Sequence, residues 1–98
     1  MKIRQGDVLL ISIDKLPSKV VEKDKTLAYG EVTGHSHRFE NSAVCVFKDA
    51  SERQFVQVEQ ESTLIHEEHA HAQVPVGIYE VRIQREVDLL GEVRTVLD

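Results

Sequence analysis

Apolar residues along this chain fall into short runs and alternations rather than one sustained helical period. Val8-Leu9-Leu10-Ile11-Ser12-Ile13 is a β-branched, apolar run between Gly6-Asp7 and Asp14, the pattern of a buried strand. Leu16 to Lys25 carries Pro17, Ser18 and many charges and reads as an exposed loop. Leu27 to Thr33 resumes a strand pattern, with Gly30 as a bulge position; Gly34 then permits a turn or a close backbone approach. Ala43 to Lys48 and Arg53 to Glu59 are joined by the polar link Asp49-Ala50-Ser51-Glu52, which predicts a β-hairpin. Ser62 to Ile65 adds a short strand. Beyond Pro75 and Gly77, Ile78 to Val87 alternates clearly. Tyr79, Val81, Ile83 and Val87 point one way, and Glu80, Arg82, Gln84 and Glu86 the other. In the tail, Val93, Thr95 and Leu97 fit a last strand, and Asp88 to Val93 fit a single helical turn.

These elements predict an all-β fold: a small, mostly antiparallel barrel or sandwich of about seven or eight short strands, the barrel being the expected form. Without crossover helices a parallel sheet has no connections to build it. The 98 residues suffice for a single β-rich domain, residues 1–98, around one modest core. No repeat or low-complexity stretch divides it.

Charge narrows the function classes. Lys and Arg number 12 against 17 Asp and Glu, a net charge of -5, which argues against broad nucleic-acid binding by phosphate neutralisation. Cys45 is the single cysteine, so no intramolecular disulfide forms and a reducing compartment is expected. The start of the chain has no signal-peptide pattern. The run from Val8 to Ile13 is far shorter than the roughly 20 residues of a membrane helix. A cytoplasmic location away from membranes is the expectation.

The five histidines fall into two short clusters, Gly34-His35-Ser36-His37-Arg38-Phe39-Glu40 and His66-Glu67-Glu68-His69-Ala70-His71. Each contains His-x-His, and on a strand residues i and i+2 share a face. His35 with His37, and His69 with His71, are therefore expected to converge. Imidazole is the commonest ligand for transition metals, so a divalent-metal site is expected from His35, His37, His69 and His71. His66 and Glu40 stand in reserve, and Glu67 or Glu68 serve as supporting or catalytic base. Zn is the first expectation, with Fe, Mn or Ni as alternatives. Such a site could polarise a carbonyl or generate hydroxide, for hydrolysis or oxygenase-like chemistry. The spacing differs from His-Glu-x-x-His. The same residues also suit a solvated polar surface, metal-free acid/base work or pH sensing. Arg38 suits an anionic group or a salt bridge. Cys45, in an apolar strand, reads as an inert core residue, and Asp7, after Gly6, as a turn residue.

The stretches Arg4-Gln5-Gly6-Asp7-Val8-Leu9-Leu10, Gly30-Glu31-Val32-Thr33-Gly34-His35-Ser36-His37-Arg38, His66-Glu67-Glu68-His69 and Gly77-Ile78-Tyr79-Glu80-Val81 resemble a family of small uncharacterised proteins found in bacteria and their phages. The resemblance covers most of the chain and implies a phage or mobile-element setting. His35, His37 and Glu40, with Pro75-Val76-Gly77, are also similar to motifs of the cupins, which are metal-binding β-barrels. The glutamate spacing is shorter than theirs, however, and no histidine follows Pro75. The GroES-type co-chaperonins are similar in length and β-content, but the loop from Pro17 to Lys25 lacks their Gly-rich apolar segment. A second expectation of a different class is a non-enzymatic interaction module. It would be a homodimer or bind a host or phage protein, through the polar face of Ile78 to Val87 or an exposed sheet edge.

Overall fold

The computed structural model describes residues 1–29, 34–87 and 93–95, and its regular elements there are all strands. They are β1 (Lys2–Gln5), β2 (Val8–Ile13), β3 (Val21–Lys23), β4 (Thr26–Tyr29), β5 (Ser36–Phe39), β6 (Val44–Lys48), β7 (Gln54–Val58), β8 (Ser62–Ile65), β9 (Ala72–Val74), β10 (Gly77–Ile83), β11 (Arg85–Val87) and β12 (Val93–Thr95). One sheet has six strands in the order β1-β2-β10-β7-β6-β3; another has four, β4-β5-β8-β9; β11 and β12 form a two-stranded ribbon. Every pairing is antiparallel.

The two main sheets make a sandwich-like fold, which corrects the expected barrel. Closure would require the end strands of one sheet to pair. Here β1 and β3 end one sheet and β4 and β9 the other. The strands outnumber the expectation because several, such as β3 and β9, have only three residues. β3 lies inside the segment read as a loop, where Val21–Lys23 adds an edge to β6. The hairpin predicted across residues 49–52 forms as β6 and β7. β4 shows a register shift between Thr26 and Ala28; Gly30, the predicted bulge, lies outside the described residues. Val93–Thr95 does form a strand, while the rest of the tail, including Leu97, lies outside them. No helix among the described residues is long and apolar enough to cross a membrane.

A shared core explains why the sheets stack. Leu10, Val46, Val56 and Val81 from the larger sheet meet Leu27, Phe39, Leu64 and Val74 from the smaller. Each fully buried side chain of this kind stabilises the fold by about 1.5–3 kcal/mol. The alternation in β10 buries Tyr79 and Val81 and leaves Arg82 exposed. Buried Tyr79 keeps its hydroxyl satisfied by donating to the Pro75 carbonyl at 2.8 Å.

The β1–β2 hairpin brings polar side chains into this apolar interior. Gln5 pairs with Val8, so Gly6-Asp7 is the whole connection. Gly6 sits at φ 58°, and a glycine in the first loop position suits a tight type II′ turn, whose twist matches the strands. The turn buries Asp7, 3% exposed, and Gln5, also 3% exposed, where the two sheets meet.

Candidate functional site

Gln5 ties the sheets together at this seam. Its Nε2 donates to the carbonyls of Leu64 at 2.8 Å and Ala70 at 3.0 Å. Two carbonyl partners fix which end of the amide carries the nitrogen. Oε1 therefore faces His37 Nδ1, 2.9 Å away. Because Oε1 can only accept, His37 Nδ1–H donates.

His37 lies on β5 and is fully buried; His66, just after β8, is 2% exposed. Their ring centroids are 4.4 Å apart. His69 packs against both, at 4.7 Å from His66 and 5.8 Å from His37. His35 meets His66 edge-on at 5.7 Å and keeps 26% side-chain exposure beside Glu68 Oε1, 3.2 Å from its Nδ1. Four imidazoles from two strand ends and one bend thus share a single cluster.

Asp7 closes the inner end. Its Oδ1 lies 3.2 Å from His37 Nε2, with both side chains buried. Since His37 Nδ1 already carries a proton for Gln5, its Nε2 faces the carboxylate with either a second proton or a lone pair. The pair is thus built around a proton or a cation, because two facing lone pairs would repel in a buried, low-dielectric setting.

A polar latch covers the cluster. Glu67 Oε1 accepts from the Ser36 backbone N–H at 2.9 Å, and Oε2 accepts from Arg38 Nη1 at 2.7 Å. Arg38 also donates to the Ser36 carbonyl at 3.0 Å. The Ser36 amide first, and then the Arg38 guanidinium, hold the Glu67 carboxyl down at about 2. The usual carboxylate value is higher, so this latch stabilises the fold fully above about pH 4.5. The contribution fades as pH falls through that value towards 2. The melting-temperature gap between wild type and Glu67→Gln should therefore be present at pH 7 and shrink steadily from pH 5 to pH 2. A gap independent of pH would show that the charge of Glu67 is irrelevant to the latch.

The sequence clusters are thus brought together only in part. His35, His37, His66 and His69 meet. His71 is exposed and makes none of these ring contacts. The segment from 66 to 71 is a bend rather than a strand, so i and i+2 do not share a face, whereas His66 and His69 converge across the bend. Glu40 is exposed and pairs with Arg38. Glu67 and Glu68 are engaged with Arg38 and His35 at the surface. Among the described residues, no group of three or more His, Cys, Asp or Glu side chains is already set to hold a metal ion. Sequence reasoning missed Asp7 and Gln5 as site residues; their one signal was Gly-Asp as a two-residue link between strands. Cys45 is half-buried, and burial, followed by the charges of Glu22 and Glu59, pushes its thiol up, away from thiolate chemistry.

No curated protein and no solved structure matches the chain. One family model does, over residues 4–84, a span that takes in Gln5, Asp7 and all five histidines. The chain belongs to the family described as a domain of unknown function, DUF8820.

Proposed function

We propose that this protein binds a divalent metal ion at the imidazole cluster, with Asp7, His37 and His69 as donors. Zn is the first candidate, and Fe, Mn and Ni are alternatives. The observation that carries this reading is the 3.2 Å separation of Asp7 Oδ1 and His37 Nε2 in a fully buried setting. Two donors about 2.0–2.1 Å from one tetrahedral ion stand about 3.3 Å apart, so the pair already has ligand spacing. Gln5, holding His37 by Nδ1, is the kind of partner that orients a metal-bound histidine. The remaining donor, His69, packs within the same cluster. Because no complete donor set stands ready among the described residues, uptake must draw its side chain in. A bound ion would supply Lewis acidity or an activated water for hydrolytic or oxygenase-like chemistry. A phage or bacterial cytoplasmic setting belongs to the same proposal.

Zinc titration by calorimetry, with elemental analysis of the tag-free chain, tests it. Wild type should take up about one ion, and chelation should lower its melting temperature, since a ligand held only by the native state stabilises that state. Asp7→Asn, close in shape, and His37→Ala should weaken uptake by about a hundredfold or more, the upper end of the 10–100-fold loss seen when only an outer-shell partner is removed. His71→Ala should leave it unchanged. Equal uptake by wild type and both site variants, or no uptake of any of the four metals, would overturn the reading. Asp7–His37 would then stand as a metal-free proton-holding pair.

A further inference from the structure

The smaller sheet covers one face of the six-stranded sheet, and the opposite, outer face is apolar as well. Val8 and Leu10 pack in the shared core, so Leu9 and Ile11 point away from it. The pairings fix what shares that outer face. Ile78 stands opposite Ile13, and Glu80 opposite Ile11. Phe55 stands opposite Glu80 on the other side of β10, and Phe47 opposite Phe55. Leu9 is 8% and Phe55 4% exposed, yet neither belongs to the core that the sheets share. Around them Ile11, Ile13, Phe47 and Ile78 are only half-buried. An antiparallel sheet with one wet face alternates apolar and polar residues; β2 instead is apolar on both. The polar face expected of β10 is therefore an island. Glu80, 3.7 Å from Arg82, lies between Ile11 and Phe55 on the neighbouring strands. A contiguous apolar patch with a charged rim is the mark of an interaction surface.

The rim is charged differently at its two ends. One row crosses all six strands: Lys2, Ile11, Glu80, Phe55, Phe47, Glu22. Its end residues, one cationic and one anionic, are both exposed. Each end has a second charge of the same sign. Arg4 stands opposite Leu9 on β1, and Glu59 joins Glu22 in acting on the thiol of Cys45, a residue that alternation also turns outward. We infer that this face binds a second copy of the chain, stacked about a two-fold axis that runs along the strands. Such an axis keeps the two sets of strands aligned, as stacked sheets prefer, and it reverses the row. Lys2 then lies over Glu22 of the second copy, Glu22 over its Lys2, and Ile11 over its Phe47. A two-fold contact requires a self-complementary patch, which opposite charges at opposite ends provide. The apolar middle drives association, and the rim charges set the register. The pairing is independent of the metal reading, because the row contains none of the donors proposed for the ion.

Sedimentation equilibrium of the tag-free chain tests it. Wild type should associate to a dimer and no further, since a two-fold contact closes on itself. Lys2→Glu and Glu22→Lys, both at exposed positions, should each weaken the dimer at least about tenfold, because each puts two like-charge contacts in place of two opposite ones. Mixing these two variants should restore wild-type affinity in a heterodimer, where each reversed charge meets the other. Ile13→Lys, at the end of β2, should abolish association while the chain still melts cooperatively. A strict monomer up to roughly 1 mM, the weak end of specific association, would overturn the inference and leave the face to the chain's own terminal residues or to an unlike partner. A dimer indifferent to all three variants would place the contact elsewhere on the molecule. Absence of rescue on mixing would exclude this axis. Either result would overturn the inference as well.

Discussion

Gln5→Met should destabilise the protein by roughly 3 kcal/mol or more at neutral pH, although it removes no charge and little volume. Gln5 makes three polar contacts at once, two of them buried, to the Leu64 carbonyl and His37 Nδ1, and a part-buried one to the Ala70 carbonyl. A thioether replaces none of them. Each buried group left without its partner costs about 1–3 kcal/mol, and Gln5 itself is 3% exposed, so water cannot readily stand in. The loss also has a direction. Leu64 lies on β8 before the bend and Ala70 on its far side, so without Gln5 the segment carrying His66 and His69 loses two backbone anchors while the Glu67 latch, the His35–Glu68 pair and the ring contacts stay. The bend should therefore exchange its amide hydrogens faster in Gln5→Met than β7 or β10 does. Urea unfolding followed by circular dichroism measures the first effect and hydrogen exchange the second. A loss below about 1 kcal/mol would mean that the three contacts contribute little and that packing alone positions the bend.

Much of the architecture was legible because period-two burial is a strong signal wherever a strand is long. β10 shows this best, with Tyr79 and Val81 buried as their alternation requires. The β6–β7 hairpin was equally readable, since two apolar runs flank one polar link. Three-residue strands such as β3 and β9 carry too few positions to show a period, so their pairing is decided by the neighbours they meet. Whether the sheets close was beyond local pattern, because closure depends on which strands end at an edge.

The site divides along similar lines. Histidines gathered in sequence announced His37, His66 and His69; His35 lies just before β5 rather than on it, so the strand rule does not decide its place, although its ring and that of His37 both meet His66. The same rule failed for His69 and His71, where the backbone bends. Asp7 and Gln5 were hidden because their partners arrive from β5, β8 and the bend, and nothing in a Gly-Asp turn says what will fold over it. The tautomers of His37 and His66 were hidden more deeply still. They follow from hydrogen bonds of fixed direction: the Gln5 amide oxygen accepts from His37 Nδ1–H, and two backbone N–H groups donate to His66 Nδ1.

Leu10→Ala should cost about 3 kcal/mol, within the 2–5 kcal/mol range of buried Leu truncations. Leu10 has no exposed surface. It sits on β2 opposite Ile3 of β1 and Val81 of β10. A strand hydrogen-bonded on both sides cannot shift inward to fill the space left by the lost atoms, so most of the cavity persists, and packed interiors tolerate such voids poorly. Ile11, the next residue, is only partly buried. The apolar run alone treats the two alike; the structure does not. Ile11→Ala should therefore lose about 2 kcal/mol less than Leu10→Ala, since part of the Ile11 surface is already in water. In a domain this small, about 3 kcal/mol lowers the melting temperature by at least about 12 °C. The consequence reaches the site, because β2 follows directly from the Gly6-Asp7 turn. Loosening Leu10 frees the strand that anchors Asp7 from the C-terminal side. Thermal melts of the two variants check the difference; equal losses would mean that β2 packs on both faces alike, and that the core is not concentrated where the sheets meet.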